Sequence, residues 1–363
     1  MTNIEQSHFG EKWFFRNLLS INTWKYLREF EQLIDSLNEA LCIESEDLFL
    51  RLFWKSFYER KRFTMLYFLQ YLAYSRYFKK NRTEALLISN EYGPNQRSVI
   101  DAAFSRGVRS IGIQHGAFHS LHPGYTYGQE EILYRPFPDV FLSWGTKWNG
   151  LFNELNPSHY CRLIETGIVR MDAVVRREYP GRPDIYPDTD LDDLIVLFAT
   201  QPQRDEDLRR RAAEEVFTMA RNVQGVRLFL KLHPRETDVD YYHNIAKEAG
   251  CSNYRILSGN TDLYSLIYHS DVVITCFSTV GTEAILMERP LIVIDHLAQD
   301  VQGYIREGVG LGVRDLSTLE SAIRSIIAGD YELDSQAFET FIKNNATSMD
   351  GEASKRALDI LAS

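Results

Sequence analysis

The chain has 363 residues, 44% of them hydrophobic and 25% charged, which suffices for two domains of ordinary size with a core each. A formal net charge of −10 excludes broad nucleic-acid binding, which needs a basic face. Cys42, Cys161, Cys251 and Cys276 show no paired spacing and read as reduced thiols of a cytosolic protein, with no apolar run of ~18 residues for a membrane span and no signal-peptide pattern.

Residues 1–80 read as mostly helical. They are rich in aromatics (Trp13, Phe15, Trp24, Phe53, Trp54, Phe63, Tyr67, Tyr74) with basic residues interleaved (Lys12, Arg16, Lys25, Arg28, Lys55, Arg60, Arg62, Arg76, Lys80). The favoured reading is a set of amphipathic helices packed on a sheet with charged outer faces. The alternative is a surface for peripheral association with an anionic membrane.

From residue 84 a βα alternation begins. Ala85–Ser89, Arg109–Gln114, Asp139–Ser143 and Arg162–Thr166 read as strands. Helices are expected at Asn95–Arg106, stopped by Gly107, and at Thr146–Glu154. The run from Arg177 to Asp193, rich in proline and acids, reads as a linker. Beyond it, strands are expected at Leu194–Ala199, Val226–Leu232, Tyr254–Leu257, Asp271–Thr275 and Leu291–Ile294. Helices are expected at 205–223, 239–249, 261–269 and 279–288, and after Arg314 the pattern is helical to the end. The class is α/β, with parallel sheets covered by helices on both faces. The expected domains are 1–180 (helical 1–80, α/β 84–176), 190–330, and C-terminal helices 331–363 packing back on the first domain.

Two signatures stand at strand ends in the second half. Lys231-Leu232-His233-Pro234 closes one strand, and Ser278-Thr279-Val280-Gly281-Thr282-Glu283 opens a helix after another. The carboxyl edge of a parallel sheet is where open α/β folds bind ligands. Pro234 halts the strand and holds His233, which can donate to a phosphate oxygen; Lys231 alternates with it on the same side. Ser278 and Thr279 can bind phosphate or simply cap the helix. Gly281 would let a ligand approach the first turn. Glu283 can hold the ribose hydroxyls or complement the helix dipole.

In the first half, Asn90-Glu91-Tyr92-Gly93 follows one strand and Gln114-His115-Gly116 the next. Glu91 or His115 can deprotonate an acceptor hydroxyl there. Alternatively Arg97 pairs with Glu91 and makes it structural. Asn90 and Gly93 place Glu91 on a tight, exposed turn, which tilts the choice of base toward it. His115, His119 and His122 lack supporting ligands on a Gly/Pro-containing loop, so no metal is expected. Cys276 reads as a packed thiol. No Walker A loop, G-x-G-x-x-G or G-x-S-x-G occurs.

The order Gln114-His115-Gly116, Thr166-Gly167-Ile168-Val169-Arg170-Met171-Asp172, Leu232-His233-Pro234, Asp262-Leu263-Tyr264, Ser270–Thr275, Ser278-Thr279 with Glu283, and Arg289-Pro290 resembles glycosyltransferases of the GT-B fold. Nearest in pattern are CDP-glycerol glycerophosphotransferases, capsular Kdo transferases and bacterial sialyltransferases. The resemblance spans roughly residues 84–310. It implies two Rossmann-like domains with a cleft between them, the nucleotide-sugar donor on the C-terminal half and a glycan or lipid-linked glycan acceptor on the N-terminal half. His233, Ser278 and Thr279 would contact the donor phosphate, alongside Lys231, Pro234 and Glu283. Glu91 or His115 would be the base, supported by Gly93, Arg97, Gln114, Gly116 and Arg170. The nucleotide-sugar is a substrate, so no cofactor is expected; with the charge and cysteine reading above, no nucleic-acid partner and a cytoplasmic place are expected, with peripheral association at the inner face of the membrane as the alternative. Two departures stand out. Asn90-Glu91-Tyr92-Gly93 replaces the paired acids of the sialyltransferases, and Cys276-Phe277 replaces Asp-Tyr of the glycerophosphotransferases, which argues against a glycerol-phosphate donor. The rival readings are a UDP-sugar 2-epimerase and a catalytically silent GT-B scaffold.

Overall fold

The computed structural model describes residues 21–363 except 44–47, 121, 135–136, 178, 180, 187–188, 191, 204 and 258–260. The aromatic run near Trp13 and the basic residues Lys12 and Arg16 lie outside the described residues. Among the described residues, three helices lead in: α1 (Ile21–Asn38, extended by a π-turn over Glu39–Ile43), α2 (Leu48–Glu59) and α3 (Lys61–Lys80). Then β1 (Ala85–Ser89), α4 (Pro94–Phe104), β2 (Arg109–Ile113), the short α5 (Gln129–Ile132), β3 (Val140–Ser143), α6 (Thr146–Leu155), β4 (Arg162–Glu165) and α7 (Met171–Arg176) alternate. These four strands form one parallel sheet in the order β1-β2-β3-β4.

The second half begins with α8 (Arg182–Ile185). It continues with β5 (Leu194–Ala199), α9 (Glu206–Asn222), β6 (Val226–Lys231), α10 (Val239–Glu248), β7 (Tyr254–Leu257), α11 (Leu263–His269), β8 (Val272–Thr275), α12 (Val280–Leu286), β9 (Leu291–Ile294) and β10 (Leu311–Val313). Its six parallel strands run β10-β9-β8-β5-β6-β7. The order reverses between β5 and β8, so a crevice opens past the carboxyl ends of those two strands. Three helices finish the chain: α13 (Leu316–Ile327), α14 (Ser335–Ala346) and α15 (Ala353–Ala362).

Alternation along β5 explains the layers. Ile195 and Leu197 point into a cluster shared with Phe141, Phe152 and Phe341, while Val196 and Phe198 point to the opposite face with Phe217, Ile245 and Ile323. The first of these clusters is continuous across both halves. The stretch expected as a linker is partly anchored. Tyr186 is fully buried, packs its ring tilted against Phe229 at 4.4 Å and donates to Leu266 O (2.7 Å), and Arg182 pairs with Asp271 at 3.0 Å.

The last two helices lie on the first sheet's side. Trp148 Nε1 donates to Asn345 O (3.1 Å), Arg356 Nε donates to Thr166 O (2.9 Å), and Asp172 caps α15 by accepting from the backbone of Ala353 (3.0 Å) and Ser354 (2.6 Å). At the entry, α3 packs on α4; Tyr67 bonds Asp101 across that contact. The outer faces of α1–α3 depart from expectation. They are not simply charged, since Trp24, Leu33, Leu48, Leu52, Phe63 and Leu66 are exposed there.

Candidate functional site

At the end of β1 the chain turns sharply. Asn90 takes φ +56°, a left-handed conformation that asparagine tolerates, and Gly93 N–H closes the turn on Asn90 O (2.9 Å). The turn is tight but not exposed: Glu91 is 2% accessible, which corrects the exposed placement. Its side chain folds inward toward Gly112 because a parallel strand edge leaves room there: a Cβ on that glycine would sit 3.7 Å from Glu91 Cγ. Both carboxylate oxygens lack a hydrogen-bond partner. Burial pushes the carboxyl up to about 7; its own backbone N–H and the nearby Tyr125 hydroxyl, which does not reach hydrogen-bond geometry, pull it back only in part. Arg97 does not neutralise it. That guanidinium pairs with Asp101 at 2.5 Å instead, one turn along α4.

His115, after β2, lies beside this turn. The Tyr92 hydroxyl is 3.2 Å from its Nε2, while its Nδ1 is buried without a partner. Burial, then His122 and Arg170, lower its pKa, so the ring is neutral near pH 7. Gln114 is structural. Its side chain accepts from Trp144 N–H (2.9 Å) and donates to Gly116 O (3.0 Å), and its carbonyl accepts from Trp144 Nε1 (2.9 Å). This clasp ties the ends of β2 and β3. Gly116 faces open space.

Arg170, after β4, spans the two halves. Nη1 donates to His115 O (3.0 Å), the guanidinium lies 5.0 Å over the Trp144 ring, and Nη2 pairs with Glu283 Oε1 at 2.5 Å. Glu283 is buried on α12, with Oε2 unpartnered. Burial raises its pKa and Arg170 opposes that. The carboxylate expected to meet a ribose is thus already engaged on one oxygen by the other half of the protein.

In the second half, Pro234 sits in a turn closed by Glu236 N–H on His233 O (2.8 Å). Arg235 N–H donates to His233 Nδ1 (3.1 Å). Nδ1 is therefore the acceptor, and the proton resides on Nε2, which is left to donate outward. Burial and Arg235 lower the ring's pKa, keeping it neutral. Glu236 fixes this turn. It accepts from Thr200 Oγ1 (2.6 Å), Tyr242 OH (2.7 Å) and His233 N–H (3.3 Å). Lys231 Nζ donates to Leu232 O (3.0 Å), and burial lowers its pKa.

Ser278 Oγ accepts from Val280 N–H (3.2 Å), and its carbonyl accepts from Tyr304 OH (3.0 Å). Thr279 occupies the cap position without a side-chain cap bond. The helix is shorter than expected, Val280–Leu286. Nor does Gly281 admit a ligand: a Cβ there would lie 2.5 Å from the Tyr304 ring, so the position is glycine to let Tyr304 pack. Gly281→Ala should destabilise the fold by about 1–3 kcal/mol, as overpacking does, checked by chemical denaturation; wild-type stability would show that Tyr304 can yield. The Cys276 thiol is pushed up to about 12 by burial and accepts from Gln203 Nε2 (3.3 Å), so it is inert.

The sequence signatures are thus sorted into two groups. Glu91, Tyr92, His115 and Arg170 gather at the first sheet's edge, with Glu283 joined to them through Arg170. His233 and Ser278 stand at the second sheet's edge, not on adjacent strands but with β5 between them. Residues 200–203, following β5, consequently enter the site unannounced: Thr200 braces His233, and Gln201 Oε1 accepts from Phe277 N–H (2.8 Å). Tyr92 was quoted within its motif but given no role, and Tyr125, Trp144 and Glu236 were missed, although Glu236 lies two residues past Pro234, Trp144 directly follows the strand Asp139–Ser143, and Tyr125 follows Gly124. A cleft of about 330 Å³ opens beyond β9 and β10, lined by Asp295, Asp300, Arg306 and Arg314 among others, and holds none of these residues. Among the described residues, no group of three or more His, Cys, Asp and Glu is placed to hold a metal, and no helix is long and apolar enough to cross a membrane.

Two parallel Rossmann-like sheets with facing carboxyl edges and a C-terminal return to the first half define the GT-B architecture. Comparison with known proteins agrees: residues 192–307 match the family described as capsule polysaccharide biosynthesis protein. Among solved structures, the chain is similar to UDP-GlcNAc 2-epimerase from Neisseria meningitidis bound to UDP-GlcNAc (12% identity, 83% of this chain, 81% of that one, TM-score 0.61). It is also similar to a putative UDP-N-acetylglucosamine 2-epimerase from Listeria monocytogenes (14%, 83% and 80%, 0.58) and to the wall teichoic acid polymerase TagF (17%, 70% and 68%, 0.51). No curated protein matches the sequence. At these identities the likeness establishes the fold, and the matched segment is the half that carries His233, Ser278 and Glu283.

Proposed function

We propose that this protein is a GT-B glycosyltransferase of bacterial surface-polysaccharide synthesis. It moves a sugar from a nucleotide-activated donor, with a cytidine nucleotide such as CMP favoured, to a glycan acceptor. The observation that carries this reading is Glu91: a buried carboxylate with both oxygens unpartnered, titrating about 7, at the sheet edge of the half opposite the capsule-family match. A general base works best when its pKa lies near the working pH, and an unpartnered buried carboxylate has no structural purpose that would repay its desolvation. Glu91, or the neutral His115, takes the acceptor hydroxyl proton as that oxygen attacks the sugar. The bond from the sugar to the donor phosphate breaks, and its electron pair leaves with the nucleotide. His233 Nε2–H, Lys231 and the Ser278-Thr279 segment stabilise the leaving phosphate.

The test is a panel of CMP-, CDP-, UDP- and GDP-linked donors, read first by thermal shift and then by transfer to an acceptor glycan. Stabilisation by none of them overturns the reading. Transfer is expected to proceed unchanged in EDTA, since the Lys231 ammonium and the His233 Nε2–H donor stand where a divalent ion would otherwise stabilise the phosphate. Activity lost in EDTA and restored by magnesium or manganese would sink that claim.

A second reading has one observation in its favour, the broader overlap with the UDP-GlcNAc 2-epimerases. An epimerase would convert UDP-GlcNAc with no acceptor present, which a single incubation distinguishes.

A further inference from the structure

Three buried polar atoms without partners meet at the end of β1. Glu91 Oε1 and Oε2 are two of them, and the Tyr125 hydroxyl is the third. Both residues are 2% exposed. Native folds seldom leave such atoms unpaired, because the lost hydration goes uncompensated. The tyrosine ring is fixed. It stacks on Phe118 at 4.2 Å and meets the rings of Tyr92 (5.4 Å), Phe141 (5.9 Å) and Phe152 (6.3 Å), and the Tyr125 carbonyl accepts from Asn156 Nδ2 (2.8 Å). The carboxylate reaches the same place from β1. A Cβ on Gly112 would sit 3.3 Å from the Phe141 ring and 3.7 Å from Glu91 Cγ. Burial raises the pKa of both groups; beyond it, the hydroxyl pulls the carboxyl down and the carboxylate pushes the phenol up further. The ring packing accounts for an aromatic residue at position 125 but not for its hydroxyl.

We infer that Tyr125 is a positioning residue for Glu91: its hydroxyl donates to the carboxylate once the acid ionises, and so leaves the second oxygen to face the acceptor. A carboxylate attracts a hydroxyl donor far more strongly than a protonated carboxyl does, so the bond forms with the charge. The ring is clamped on several sides, so the glutamate side chain makes the approach. The catalytic consequence of this role rests on Glu91 being the base; the hydrogen bond itself does not. Other groups around the pair are engaged elsewhere. Arg97 of α4 pairs with Asp101 at 2.5 Å, Arg170 lies over Trp144 and pairs with Glu283, and the Tyr92 hydroxyl is 3.2 Å from His115 Nε2. His119 lies against His122 (6.1 Å between rings) and Tyr127 against Phe137 (5.1 Å). Burial pushes His115 and His122 down, so both rings stay neutral above pH 7 and bring no cation to Glu91 as it ionises.

The experiment is a double-mutant cycle on the full-length protein. Tyr125→Phe and Glu91→Gln are made singly and together, and each is denatured at about pH 5 and about pH 8. Both substitutions keep the shape of the side chain, and circular dichroism verifies that each variant is folded. Without its donor, Glu91 should titrate above the present value of about 7, so the folded state loses more stability as pH rises. Tyr125→Phe should therefore be no less stable than wild type at the lower pH. At the higher pH its folding equilibrium should fall roughly five- to tenfold below wild type, and this pH-dependent difference should vanish in the Glu91→Gln background. In the transfer assay, the midpoint of the turnover profile should move up by about one to two pH units, which a merely structural loss would leave in place. No pH-dependent difference, the same difference in the Glu91→Gln background, or an unmoved midpoint would overturn the role of Tyr125. Coupling in the cycle together with full turnover in Glu91→Gln would support the hydrogen bond and sink only the base. An inactive Glu91→Gln without coupling would sink Tyr125 alone.

Discussion

Glu91→Gln is expected to cut turnover by ~10²–10⁴-fold at saturating donor while donor affinity stays nearly constant, because a general base acts on the chemical step and not on donor binding. The wild-type profile should rise with pH through about 7, where Glu91 loses its proton, and then level off. The same substitution tests whether the carboxylate serves stability. Its folded pKa is raised, so the folded state holds the proton more tightly than the unfolded chain. That contribution is present below the unfolded value and is lost as pH rises through about 7. At pH 8 the ionised Glu91 therefore costs up to about 3 kcal/mol, which a neutral glutamine avoids. The variant should be inactive yet no less stable than wild type at pH 8, measured by denaturation. A structural carboxylate would give the reverse. His115→Ala should be the milder of the two. Near-normal turnover in Glu91→Gln combined with loss in His115→Ala would transfer the role of base to His115.

The second large effect is expected at His233. His233→Ala should weaken donor binding by ~1.5–3 kcal/mol, the value of a hydrogen bond to a charged group, or roughly 10–150-fold in calorimetry. The ring is neutral, and Arg235 N–H occupies Nδ1, so Nε2 is the donor. Affinity should accordingly stay flat from pH 7 to 8, where an imidazolium contact would fade. Unchanged affinity in the folded variant removes His233 from the site.

Several features of this molecule were legible without coordinates. Ala85–Ser89, Leu194–Ala199, Tyr254–Leu257 and Leu291–Ile294 run between the same residues in sequence reading and structure, because short apolar runs bounded by turn residues mark strands. The three-residue β10 escaped, being too short to carry a period. Burial escaped too. A Glu followed by Tyr and Gly looks like an exposed turn, and nothing local says that Tyr92 and Tyr125 close over it.

The sequence by itself determined the α/β class, the βα alternation and the location of chemistry-bearing residues at strand ends, since these depend on periodicity and on turn residues next to one another in the chain. Only the tertiary structure decided the rest. Strand order β8-β5-β6 placed residues 200–203 between His233 and Ser278, Arg170 reached across to Glu283, and Gly281 proved to be a packing site for Tyr304. Each of these depends on contacts between residues far apart in the chain, whose pairing is set by how the two sheets and the returning C-terminal helices bury their shared core, and no local pattern encodes that choice.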